Sequence, residues 1–214
     1  PPGIYQSLHD RDRERLLAGV DEATANADWV VVALHSHQAR AGSRNTTEVP
    51  RFLRKFAHEC IETGADTVVV TGPHMLRGVE IHRNRPICYS LGNFFFHDDA
   101  FHRVPDTLDH TVDDTVPDVR GEDASQGSNS SVSHDAENWI SIVPHCEFTS
   151  TGTLVDVTLY PFTLHPTPSC SRRGTPTLAT GDEARDILET VDERSTPFGT
   201  TIDIRERTGV IGLP

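Results

Sequence analysis

Lysine is all but missing from this chain: Lys55 is the single one, and arginine carries the rest of the basic charge. With 19 basic against 32 acidic residues, the formal net charge is -13. A balance of that sign disfavours nucleic acid and anionic membrane surfaces as partners. Long apolar runs are also missing, so no stretch is suited to span a bilayer as a helix, and the opening Pro1-Pro2-Gly3 does not read as a secretion signal. That opening reads instead as a piece of something longer. The four cysteines, Cys60, Cys88, Cys146 and Cys170, form no CxxC pair, which removes the usual tight-turn zinc site. Cys60 and Cys88 sit in apolar runs and are expected as small buried hydrophobes, with disulfide pairing left open. A P-loop, a GxGxxG turn and a GxSxG elbow are all absent, so phosphate cradling by a glycine loop and serine hydrolysis find no sequence support.

What is present fits one α/β domain. At 214 residues the chain is long enough for a real core. Leu16, Leu17, Val20 and Ala23 recur at helical spacing in residues 10–27, with Asp10 as the expected N-cap. Residues 29–34 form a continuous β-branched run, which predicts a strand covered on both faces. A polar loop follows over 35–48. Residues 49–63 predict a helix with Phe52, Leu53, Phe56, Cys60 and Ile61 on one face, closed by Gly64. Residues 67–70 predict the next strand, completing a right-handed βαβ unit.

Residues 79–82 and 86–90 flank a hairpin turn, and the apolar run 91–96 is expected to continue as strand. The tract 97–138 is rich in Asp, Ser, Pro and Gly and reads as an acidic loop insertion. Alternating residues in 139–148 and 154–162 predict an antiparallel hairpin; 182–194 predicts a helix and 200–204 a last strand. The expected architecture is a sandwich of mixed β-sheets flanked by helices.

Histidines mark the ends of the two parallel strands. Open α/β sheets place their chemistry just past the carboxyl ends of strands. His35-Ser36-His37 follows the first strand directly, and Gly72-Pro73-His74 follows the second. A neutral imidazole is a good ligand for Zn, Mn or Fe. If the backbone stays extended, His35 and His37 point to opposite sides. The alternative is that all three are loop or turn histidines making hydrogen bonds. Arg77 could clamp an oxyanion or pair with Glu80. Glu80 could orient a ligand histidine, and Asn93 could be a turn residue or a polar contact into the site.

The run GADTVVVTGPHMLRGVEIHRNRPICYSLGNFFF, residues 64–96, together with ADWVVVALHSH, residues 27–37, resembles the CapA-type capsule synthesis proteins, the poly-γ-glutamate synthesis family. The tail RRGTPTLATGDEARDILETVDERSTPFGTTIDI, residues 172–204, is also similar. The resemblance implies a calcineurin-like metallophosphoesterase fold and a metal-dependent phosphoester hydrolase with a divalent ion of the Mn, Fe or Zn class. It places His35 and His74 at the metal, His37 as a further ligand, and Arg77 and Asn93 by the pocket. His74 and Arg77 are then the catalytic candidates, and an anionic phosphate-containing or polyglutamate ligand is the expected partner. The alternative is a non-catalytic component of anionic polymer assembly or export. The cell envelope is the expected location. Two features depart from the family's pattern. Thr71 stands where a histidine is usual, and the early Gly-Asp and Asn-His segments are not found. The resemblance therefore implies that this chain is the second half of such a domain, awaiting its first half or an assembly partner.

Overall fold

The computed structural model describes residues 6–39, 44–96, 136–165 and 172–213. Most of the acidic tract expected as an insertion lies outside the described residues, as does Cys170. Among the described residues the α-helices are α1 (Asp10–Asn26), α2 (Arg51–Thr63) and α3 (Gly181–Ser195). The strands are β1 (Val31–His35), β2 (Thr67–Thr71), β3 (Val79–His82), β4 (Arg85–Cys88), β5 (Ile140–Phe148), β6 (Leu154–Thr163), β7 (Thr177–Leu178), β8 (Ile202–Ile204) and β9 (Gly209–Ile211).

They build two sheets, ordered β1-β2-β4-β3 and β5-β6-β9-β8, with β7 paired to β6. β1 and β2 run parallel with Val31 opposite Thr67 and His35 opposite Thr71, so α2 is the crossover of a βαβ unit. β3 and β4 are joined by a two-residue turn in which Arg83 and Asn84 both take positive φ, 48° and 58°. That is the turn whose twist suits a tight hairpin. β5 and β6 form the long hairpin that the alternating pattern predicts.

The two faces of the first sheet are buried against different partners. Val68, Val70, Ile87 and Tyr89 pack with Val20 of α1 and with Leu53, Phe56, Ala57, Cys60 and Ile61 of α2. Burying each such large side chain contributes ~1.5–3 kcal/mol. Val79 and Cys88 instead join Ile142, Val157 and Leu159 of the second sheet and Ala184, Ile187, Leu188 and Val191 of α3. A mixed α/β sandwich flanked by helices is therefore the architecture.

Three local expectations fail. β1 is an edge strand rather than a fully covered one: Val31 is 63% exposed and Trp29 45%. A β-branched run alone does not distinguish an edge from a centre. The run 91–96 does not continue as strand beyond the short bridges at Leu91 and Gly92. Phe94 and Phe95 point into solvent, 47% and 65% exposed. Finally α1 begins after His9 with no side-chain cap, so Asp10 lies inside the first turn rather than capping it.

Candidate metal centre

The carboxyl ends of β1 and β2 bring two histidine-bearing turns together. Ser36 donates its backbone N–H to the Thr71 carbonyl at 2.8 Å. This approach needs Gly72, since a Cβ there would lie 2.9 Å from the Ser36 carbonyl group and its φ is 123°. His74 then sits at a φ of 62°, a conformation sparsely used by residues other than glycine. His35 and His74 are exposed and His37 half-buried, so the rings face solvent.

Each ring is held by its Nδ1 atom. His35 Nδ1 lies 3.0 Å from Thr71 Oγ1. His37 Nδ1 lies 2.8 Å from Asn45 Oδ1, and His74 Nδ1 lies 2.9 Å from Asn93 Oδ1. The orientation of the Asn93 amide is fixed, because its Nδ2 donates to the His74 and Asn138 carbonyls. An amide oxygen only accepts, so Nδ1 carries a proton in His74, and the neutral ring keeps the lone pair of its Nε2.

The three rings are neighbours, but only one pair of Nε2 atoms meets closely. His35 Nε2 and His37 Nε2 are 3.1 Å apart, and the His37 and His74 ring centroids are 5.4 Å apart. Two imidazole nitrogens held ~2.0–2.1 Å from one ion are ~2.9 Å apart at a right angle and ~3.4 Å apart at the tetrahedral angle. The observed separation falls between these values. The rings of His35 and His37 lie together, centroids 4.9 Å apart, because β1 ends at His35 and the strand alternation does not carry on to His37.

The other candidates lie elsewhere. Arg77 is fully buried; its Nε donates to the Thr46 carbonyl at 2.8 Å and its Nη2 to the Gln38 carbonyl at 3.1 Å. It thereby braces the loop that carries His37 and Asn45. Burial pushes its pKa down to about 10. Glu80 pairs with Arg54 rather than Arg77, through contacts of 2.7 and 3.2 Å, and accepts the Tyr89 hydroxyl at 2.5 Å. Asn93 is at the site, on His74.

Residues 2–98, which include all three histidines, match the family described as bacterial capsule synthesis protein PGA_cap. The chain is 34% identical over 106 residues to the PGA biosynthesis protein CapA of Bacillus subtilis, covering 50% of this chain and 25% of that protein. It is 30% identical over 106 residues to the capsule biosynthesis protein CapA of Bacillus anthracis, covering 50% and 24%. Over that stretch the chain is similar to the CapA-type capsule synthesis proteins. An uncharacterized protein of Sinorhizobium fredii, y4sH, is 30% identical over 221 residues, 99% of this chain and 47% of that protein. The chain thus spans about half the length of that relative.

Thr71 and Asn45 are the site residues that the sequence did not announce. Thr71 was legible only as a missing ligand, whereas the parallel register places it opposite His35 as that ring's anchor. Asn45 sits eight residues past His37 with a φ of 49°, and only the return of the loop brings it back.

Proposed function

We propose that this chain carries part of a divalent-metal centre of a CapA-type phosphoester hydrolase, with His35, His37 and His74 as ligands. The observation that carries the reading is the pairing of anchored Nδ1 atoms with two Nε2 atoms 3.1 Å apart. A divalent ion of the Mn, Fe or Zn class would supply Lewis-acid polarisation of a phosphoryl oxygen and acidify water. The chain's own residues set the geometry. Thr71, Asn45 and Asn93 orient the imidazoles, and Asn93 sets the His74 tautomer, the arrangement usual behind ligating histidines. Phe96 flanks His74, with ring centroids 6.3 Å apart, and gives the site one apolar wall. Arg77, buried on the carbonyls of Gln38 and Thr46, acts here as a positioning residue for the His37 loop.

The substrate class we propose is an anionic phosphate-containing or polyglutamate chain, handled at the cell envelope. The complete centre would draw further ligands from an N-terminal half or an assembly partner. Among the described residues no helix is long and apolar enough to cross a membrane.

A second reading has its own observation. The groups that anchor the three rings, Thr71, Asn45 and Asn93, are all uncharged. A carboxylate-bridged pair of ions polarises phosphate best. Neutral anchors suit a single ion that binds polymer without cleaving it, a non-catalytic role in polymer assembly or export.

The experiment is metal analysis by mass spectrometry on tag-free protein, with the His35→Ala/His74→Ala double variant alongside, followed by p-nitrophenyl phosphate hydrolysis. Near-stoichiometric metal lost in the variant, with hydrolysis lost in parallel, supports the hydrolase. Metal without hydrolysis in the full-length parent supports the assembly role. Equal metal in both proteins overturns the site.

A further inference from the structure

A second set of metal-binding side chains lies between α2 and β3. His58 comes from α2, and Glu80 and His82 come from β3. Residues two apart on a strand project to one side. Val79 and Ile81, on the alternate positions, join the core shared with α3. One donor atom from each of His58, Glu80 and His82 lies within 4.8 Å of the other two. None of these residues anchors the three strand-end histidines described above.

Two details mark this cluster as more than a hydrogen-bonded surface. His58 Nε2 is 3.0 Å from Glu80 Oε2, but it is out of line for a hydrogen bond and is buried without another partner. A buried polar atom left unpaired is costly. The His58 and His82 rings are stacked at 3.8 Å with planes 6° apart. Glu62, one turn along α2 from His58, adds a carboxylate whose Oε1 lies 3.2 Å from His82 Nε2.

We propose that His58, Glu80 and His82 form a structural site for a zinc-class divalent ion that clasps α2 to β3. Two imidazoles and a carboxylate are a donor set that zinc accepts. Arg54 and Tyr89 hydrogen-bond the Glu80 carboxylate and fix its orientation, the support that ligating carboxylates have. The Arg54 charge opposes a cation, so the affinity is modest. The clasp has a structural consequence. The loop before α2 carries Asn45 and Thr46, and β3 follows Arg77 after Gly78. An ion here locks together the two elements that present the His37 anchor and its brace.

The test is long-range proton–nitrogen NMR of the histidine rings in tag-free wild-type protein, titrated with Zn2+ alone. Assignments come from the His58→Gln and His82→Gln variants. The expected result is that the Nε2 signals of His58 and His82 move on adding Zn2+, and that each Gln variant lowers the bound Zn2+ by one equivalent. Unmoved His58 and His82 signals in wild-type protein overturn the proposal, whatever the variants do. The strand-end centre is read separately from the His35, His37 and His74 signals. If those stay still while His58 and His82 move, the hydrolase reading fails and this one stands; the converse sinks only the clasp.

Discussion

His35 Nδ1 lies 3.0 Å from Thr71 Oγ1, and the two residues are register partners across the parallel β1–β2 pair. Thr71 is exposed and its hydroxyl also reaches the Leu34 carbonyl, so it can accept from the ring while donating to the backbone. Thr71→Val keeps the β-branched shape and removes the anchor. Metal affinity should fall 10- to 100-fold, the usual effect of losing such an outer partner, with the melting temperature nearly unchanged. Thr71→Ser should restore most of it. Equal affinities for wild type and Thr71→Val in a chelator competition would show that the His35 ring is not held this way.

Arg77 has main-chain carbonyls for partners inside the fold. Its Nη1 is buried with no hydrogen-bond partner, and burial lowers its pKa to about 10. Replacing it by methionine removes a buried charge but leaves the carbonyls of Gln38 and Thr46 without their donor. The expected loss is about 1–3 kcal/mol in urea unfolding, the scale for polar groups left unsatisfied. Because those carbonyls belong to the loop that presents His37 and Asn45, metal affinity should drop as well. A variant with lowered stability and unchanged affinity would separate Arg77 from the centre.

Glu80 gives the fold an acid-sensitive joint. Burial by itself would raise its pKa, but the hydrogen bonds from Arg54 and Tyr89, together with His58, outweigh burial and hold it below the ordinary glutamate value. A carboxylate whose folded pKa is depressed contributes stability that is fully present above its unfolded pKa of ~4.3 and is lost as pH falls through the lower folded value. Wild-type stability should therefore decline below pH ~4.3 partly through this group. Glu80→Gln should be less stable at neutral pH and show a flatter acid limb. Urea midpoints measured from neutral pH downwards check both; parallel curves for the two proteins would exclude the linkage.

Much of this arrangement is written in the chain, and the gaps have physical reasons. The βαβ unit was legible because α2 has a clean apolar face and Gly64 to end it, and because β2 is a run of valines. The hairpin of β5 and β6 was legible from alternation. β1 misled because Val30, Val31 and Val32 look alike on an edge or in a centre, and neighbours decide which. Phe94, Phe95 and Phe96 misled because aromatic residues raise strand propensity whether or not a neighbouring strand is available to pair. β9 was missed because three residues after a turn carry no period. At the site, residue type found the histidines, but only the end of β1 at His35 made His35 and His37 neighbours. Their anchors were invisible, since Thr71 and Asn45 become partners through sheet register and loop return rather than through spacing.

Gly78 separates fold from site. It lies between Arg77 and β3, against the end of α3, where Val79 donates its N–H to Ser195 Oγ at 2.9 Å and Arg194 Nη1 donates to the Leu76 carbonyl at 2.7 Å. A Cβ at residue 78 would overlap the Arg194 carbonyl group and lie 2.8 Å from Phe198 Cε2. Main chain at a helix end cannot swing aside as a side-chain tip can, so α3 must shift off β3. Gly78→Ala should cost about 3 kcal/mol, the upper part of the range for overpacking, and lower the melting temperature by roughly 6–12 °C. Gly72→Ala presses instead on Ser36, at the meeting of the two histidine turns. It should reduce metal affinity more than global stability. Calorimetry and metal titration on both variants read the contrast. If Gly78→Ala weakened metal binding as strongly as Gly72→Ala, the α3 contact and the strand-end centre would be one cooperative unit rather than two.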